Sequence, residues 1–155
     1  MVLNGEFQEY NAWLQPGAAI HTDGMKLDIR EGVSEFAARE CRDGVNRLYQ
    51  DDIWKDDASF TVTISVDPAM PPEGYRLTGS DTGIEIAGAD KNGVLYGVYA
   101  FIMHLRAGTE PACIRDETSP AVPMRVLNHW DNIDGQIERG YAGRSLFFSN
   151  NSICY

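Results

Sequence analysis

Polar and aromatic residues able to do chemistry crowd one short stretch of this chain, VPMRVLNHWDNIDGQIERGYAGRS, Val122 to Ser145. Behind a small apolar run, Met124 to Leu127, come Asn128, His129, Trp130, Asp131, Asn132, Asp134, Glu138 and Arg139. An indole surrounded by amides, carboxylates and a guanidinium suits a sugar: the ring lies against the apolar face of a pyranose, and the polar groups bond its hydroxyls. The same residues also suit a plain surface loop. Asn128, Asp131, Asn132 and Asp134 all favour Asx turns, Gly135 favours a tight turn, and Trp130 can then pack as a lid. Asp131, Asp134 and Glu138 are carboxylates of the kind that hydrolyse glycosides. They share one loop, however, whereas hydrolysis needs two carboxyls on opposite sides of the scissile bond. No catalytic residue is assigned.

Other chemistries are poorly served. The net charge is −10 and the pI about 4.6, so nucleic acid and anionic membranes, which require a basic face, are not expected partners. Cys41, Cys113 and Cys154 form no CxxC pair and read as reduced thiols of a cytoplasmic protein. His21, His104 and His129 are scattered, and no metal or other cofactor is expected. The opening MVLNGEFQEYNAWLQ lacks the basic start and continuous apolar core of a signal peptide. No stretch approaches the roughly 20 apolar residues that span a bilayer. The sequon Asn150-Asn151-Ser152 is then a chance match.

The elements that must carry the crowded segment are legible upstream. A first short strand is expected within residues 17–29, at Ala18 to Thr22. Ser34 caps a helix running to about Tyr49, with Phe36, Ala37, Cys41, Val45 and Leu48 along its apolar side. Phe60 to Val66, FTVTISV, alternates β-branched apolar and polar residues as a strand does. Tyr75 to Thr78 and Ile84 to Ala87 form a hairpin about the glycine-bearing GSDTG. Asp90 opens a second helix, whose Val94, Val98, Phe101, Ile102 and Leu105 share one face. Gly93 and Gly97, one turn apart, let that helix approach the sheet closely; neither a phosphate loop nor a membrane dimer motif fits them. Short strands are expected at Ala112 to Arg115, Met124 to Leu127 and Ser145 to Phe148. The fold class is α+β, a mixed sheet with two helices on one face.

RVLNHWDNIDGQIERGYAGRSLFF, Arg125 to Phe148, resembles the segment that opens the catalytic barrel of glycoside hydrolase family 67 α-glucuronidases. Tyr10 to Leu14, YNAWL, is similar to that family's start. GIEIAGADKNGVLYGVYAF, Gly83 to Phe101, is similar to its accessory domain and to the domain preceding β-hexosaminidase barrels. The resemblance implies a hexosaminidase-like accessory domain over residues 1–122 and, over 123–155, the first segment of a (β/α)8 barrel, truncated. It implies a parent enzyme that removes (4-O-methyl)glucuronic acid from glucuronic-acid-substituted xylooligosaccharides with inversion, as a homodimer. The family's acid and base lie on later barrel strands and match nothing here, so this chain alone is expected to be inactive. Trp130, Glu138 and Arg139 match pocket-side positions, with Asn128, His129, Asp131 and Asn132 beside them. The rival expectations are a stand-alone carbohydrate-binding module, which needs an exposed aromatic platform on the sheet, and a non-catalytic scaffold domain. Trp54, in DDIWKDD, is expected on a polar loop and Trp13 in the core.

Overall fold

The computed structural model describes residues 23–126, 128 and 130–153. They separate into two compact units, divided between Ala121 and Val122. The first is an α+β sheet unit.

Its five strands are β1 (Met25–Ile29), β2 (Phe60–Val66), β3 (Tyr75–Ser80), β4 (Gly83–Gly88) and β5 (Arg115–Thr118), in the order β1-β2-β4-β3-β5. β1, β2 and β4 run parallel, while β3 is antiparallel to both β4 and β5. The period of two decides the faces. Val62, Ile64, Leu77, Ile84 and Ile86 point into one core, 0–2% exposed, while Thr61, Thr63, Thr78 and Glu85 alternate with them. Both helices, α1 (Glu35–Tyr49) and α2 (Lys91–Arg106), bury their apolar sides in that same core.

The helices follow local signals closely. Ser34 Oγ accepts the Ala37 N–H and starts α1, and Gln50 ends it in the left-handed region at φ 56°. Ala37, Cys41, Val45 and Leu48 are buried as their spacing requires. Phe36 is not: it is 46% exposed and lies under the Arg39 guanidinium, 5.3 Å from its ring centre. Asp90 caps α2, and all five residues of its expected apolar face are buried. Gly93 lets the helix sit against the Gly74 carbonyl: a Cβ there would lie 2.2 Å from that oxygen. Gly97 does the same against Ile86, at 2.8 Å.

Several expected strands fall elsewhere. The expectations at Ala18 to Thr22, Tyr10 to Leu14 and Trp13 lie outside the described residues; among the described residues of that window, Met25–Ile29 form a strand. The expected strand at Ala112 to Arg115 is instead a 3-10 turn, Pro111–Cys113, with β5 starting at Arg115. Pro111 pre-sets the turn, and the edge of β3 then recruits the weakly β-forming Arg-Asp-Glu-Thr, pairing Thr78 with Arg115 and Tyr75 with Thr118.

In the second unit Met124 to Val126 form no strand, and Met124 and Val126 are 78% and 81% exposed. Leu127 lies outside the described residues. An apolar run becomes a strand only where an edge is available to pair with it. The strand expected at Ser145 to Phe148 also shifts. Ser145 Oγ accepts the N–H groups of Phe147 and Phe148, both at 2.9 Å, which turns the chain. A hairpin follows, β6 (Phe148–Ser149) with β7 (Ser152–Ile153). Asn150 and Asn151 of the sequon make its turn at φ 51° and 61°.

Candidate functional site

The second unit is a set of turns knitted by backbone hydrogen bonds. Asn132 N–H donates to Gln136 O at 2.7 Å, Glu138 N–H to Trp130 O at 2.8 Å, and Ser145 N–H to Gly135 O at 2.9 Å. Isolated bridges pair Asp131 with Ile137 and Gln136 with Arg144. The Asx and glycine turns read from the sequence are present: Asp134 accepts the Gln136 N–H, and Gly135 sits at φ 92°.

This folding-back gathers side chains far apart in a linear reading. Trp130, Asp131, Asn132, Glu138, Arg139 and Tyr141 line one concavity of about 620 Å³. Trp130 is 64% exposed and Tyr141 76%, so both residues are largely open to solvent. Of the expected site residues, Asn128 is exposed and does not line the concavity, and His129 lies outside the described residues. Tyr141 was not singled out by sequence. Its signal is the three-residue spacing to Glu138 across a glycine turn, which lets the phenol donate to the Glu138 carboxylate; that bond raises the Tyr141 pKa.

Glu138 has the least ordinary backbone of the group, left-handed at φ 54°. Such a conformation is costly for a residue with a Cβ, and strain of this kind concentrates at functional sites. Asn132 Nδ2 donates to the Glu138 carbonyl and fixes the strained unit.

The sheet unit offers other concavities. One, about 680 Å³, is faced by Asp23, Asp57, Asp81 and Glu110, with Lys55 as its cation. Lys55 is already engaged with the Asp23 carbonyl. A ligand carrying its own carboxylate would meet like charge there. A shallow groove of about 480 Å³ on the face away from the helices is lined by Thr61, Thr63, Thr78, Ser80, Thr82 and Glu85 among others, with no aromatic ring. The aromatic platform of a carbohydrate-binding module is therefore missing from that groove. Trp54 is half-buried against the core rather than free on a polar loop, and its indole N–H donates to the Arg42 carbonyl. Among the described residues no group of histidines, cysteines and carboxylates could hold a metal, and no helix is long and apolar enough to cross a membrane.

Comparison with known proteins finds likenesses along this segment. Residues 104–155 match the family described as glycosyl hydrolase family 67 middle domain. Over 86 residues, 56% of the chain, it is 38% identical to a probable alpha-glucuronidase A of Aspergillus niger and 36% identical to the alpha-glucuronidase A of Aspergillus tubingensis. The match spans about a tenth, 10%, of each relative's length. Among solved structures, a GH138 enzyme targeting pectin rhamnogalacturonan II superposes with a TM-score of 0.51 at 11% identity. That likeness covers 65% of this chain and 16% of the other, and speaks for the fold alone. The chain thus shares its fold over 65% of its length with a GH138 enzyme, and its residues 104–155 are similar to the family 67 middle domain.

Proposed function

We propose that the second unit forms one wall of the uronic-acid pocket of an inverting α-glucuronidase acting on glucuronic-acid-substituted xylooligosaccharides. The observation that carries this reading is the clustering of Trp130, Asp131, Asn132, Glu138, Arg139 and Tyr141 around one concavity, within the segment that matches the family. Trp130 offers an apolar platform for a pyranose face. Glu138 accepts from ring hydroxyls, and Arg139 donates to hydroxyls or to the sugar carboxylate. In this reading Met124 to Leu127 becomes the first barrel strand once a neighbouring strand pairs with it, and the full-length enzyme works as a cytoplasmic homodimer.

Hydrolysis with inversion requires a carboxylic acid and a carboxylate about 6.5–9.5 Å apart on opposite faces of the sugar, with water between them. Asp131, Asp134 and Glu138 all come from one turn system on one wall. The 155-residue chain therefore binds without cleaving.

The test is a titration of the chain with an aldotetraouronic acid, followed by the indole N–H signal of Trp130 and the amides of Glu138 and Arg139. Unsubstituted xylotetraose is the control. Binding on one wall is weak, on the order of 1 mM, equivalent to about 4 kcal/mol. Trp130→Ala removes tens of Å² of apolar contact, worth about 1–2 kcal/mol, and weakens it roughly tenfold. No perturbation up to the solubility limit of the ligand, or equal response to both sugars, overturns the pocket. Release of methylglucuronic acid by the purified chain overturns the non-catalytic role.

A further inference from the structure

Glu138 is an odd residue to find at φ 54°. Glycine enters the left-handed region without penalty and asparagine does so readily, whereas glutamate gains no local side-chain bond there. The neighbouring positions that need positive φ, Gly135, Gly140 and Gly143, are all glycines. Three contacts converge on this one residue. Its N–H donates to the Trp130 carbonyl at 2.8 Å. Its carbonyl accepts from Asn132 Nδ2, and Asn132 is itself anchored by its N–H on Gln136 O. Its carboxylate accepts from the Tyr141 hydroxyl. Backbone and side chain are therefore held from separate directions, with Trp130 tied to the same residue through its carbonyl.

We propose that Asn132 and Tyr141 are positioning residues that hold Glu138 in its left-handed conformation and present its carboxylate to the concavity as a preset acceptor for a sugar hydroxyl. The acceptor role rests on the sugar-pocket reading above; the positioning does not. Asn132 acts on the backbone and Tyr141 on the carboxylate, so their losses are separable. Tyr141 is largely exposed, and removing its hydroxyl alone disturbs little packing. A fixed acceptor spares the ordering of a long side chain when the ligand arrives, which is how preorganisation improves affinity.

The experiment uses the isotopically labelled 155-residue chain, without ligand first. Carbon shifts and the three-bond HN–Hα coupling at Glu138 report positive φ. The expected signature is present in the wild type and in Tyr141→Phe, and lost in Asn132→Ala. The Tyr141 ring-carbon titration midpoint is expected to fall in Glu138→Gln, because a neutral amide holds the phenolic proton less strongly than a carboxylate. The melting temperature of the sheet unit stays unchanged in all three variants. A Glu138 signature indifferent to Asn132→Ala, or a Tyr141 midpoint indifferent to Glu138→Gln, overturns the positioning.

The aldotetraouronic acid is then added. Tyr141→Phe is expected to weaken it about 3- to 10-fold, the size of one ordinary hydrogen bond's net contribution. Normal affinity in Tyr141→Phe overturns the preset acceptor. Expected signatures with no binding by the wild type leave the positioning standing and overturn the sugar pocket, so the two failures are distinguishable.

Discussion

Replacing Asp90 by alanine tests how this fold closes around its second helix. Oδ1 of Asp90 accepts the N–H groups of Asn92 and Gly93, at 2.9 and 3.0 Å, and Oδ2 accepts the Glu73 N–H at 2.9 Å. One carboxylate thus caps α2 and also ties down the Glu73–Gly74 segment, whose carbonyl at Gly74 packs against Gly93 and accepts the Ala89 N–H. Loss of an N-cap costs about 1 kcal/mol. Orphaning the partly buried Glu73 N–H adds about 1 kcal/mol more. Asp90→Ala is expected to cost about 2–3 kcal/mol, which for a unit of this size lowers Tm by roughly 10 °C or more. Asp90→Asn keeps the cap but turns an amide donor towards the Glu73 N–H, and falls between the two.

The pH dependence has a fixed sign. Chiefly the Gly93 N–H, helped by the Glu73 and Asn92 N–H groups, holds the Asp90 carboxyl below its ordinary pKa. A depressed pKa stabilises the fold above the unfolded-state value and loses that contribution as pH falls through the folded-state value. The gap between wild type and Asp90→Asn should therefore be widest near neutrality and shrink below about pH 4. Urea unfolding followed by far-ultraviolet circular dichroism at pH 7 and pH 3 measures both effects. An Asp90→Ala chain within about 0.5 kcal/mol of wild type, the range of an ordinary surface change, refutes the reasoning. So does an Asn deficit undiminished at pH 3.

The two helix glycines should respond differently to alanine. In Gly93→Ala the methyl meets a backbone carbonyl, and overpacking of about 1–3 kcal/mol exceeds the gain of about 1 kcal/mol in helix propensity. In Gly97→Ala it meets the Cγ2 methyl of the fully buried Ile86 at 2.8 Å and Tyr75 Cβ at 3.3 Å; a side chain yields more than a backbone carbonyl, though a β-branched one only a little, so the urea midpoint should fall, but less than in Gly93→Ala; equal midpoints for the two variants contradict this. Burial pushes the Cys41 thiol from 9.0 up to about 12, against the opposing pull of Arg42. Peptide mapping after brief native alkylation should find Cys113 modified and Cys41 intact. A raised pKa is stabilising below the unfolded value, so the Cys41 contribution is lost between about pH 9 and 12. The urea midpoint should fall across that window, less so in Cys41→Ala; an equal fall in both assigns it to other groups.

The sequence alone determined whatever is set by nearest neighbours and by period. Ser34 and Asp90 fixed the helix starts through their own side chains. FTVTISV fixed a strand by alternation, and the glycines of GSDTG fixed the hairpin joining β3 to β4. These devices act within a few residues and need no distant partner. Where a distant partner was needed, the chain did not announce it. Arg115–Thr118 became a strand because the β3 edge was there to pair with, and Met124 to Val126, the more apolar of the two, did not. Phe36 lay at the right helical spacing and still faced water, under Arg39, because spacing gives a side and only packing gives depth. At the proposed site, the residue types of NHWDNIDGQIERGY suited either a sugar or a plain surface loop, and family resemblance pointed to Trp130, Glu138 and Arg139. Only the folded turns brought Tyr141 to the Glu138 carboxylate, set Asn132 on its carbonyl and left Asn128 outside. Hydrogen-bond geometry across a turn depends on φ at a few positions, above all the left-handed Glu138, and no residue pattern states a dihedral angle that its own side chain disfavours.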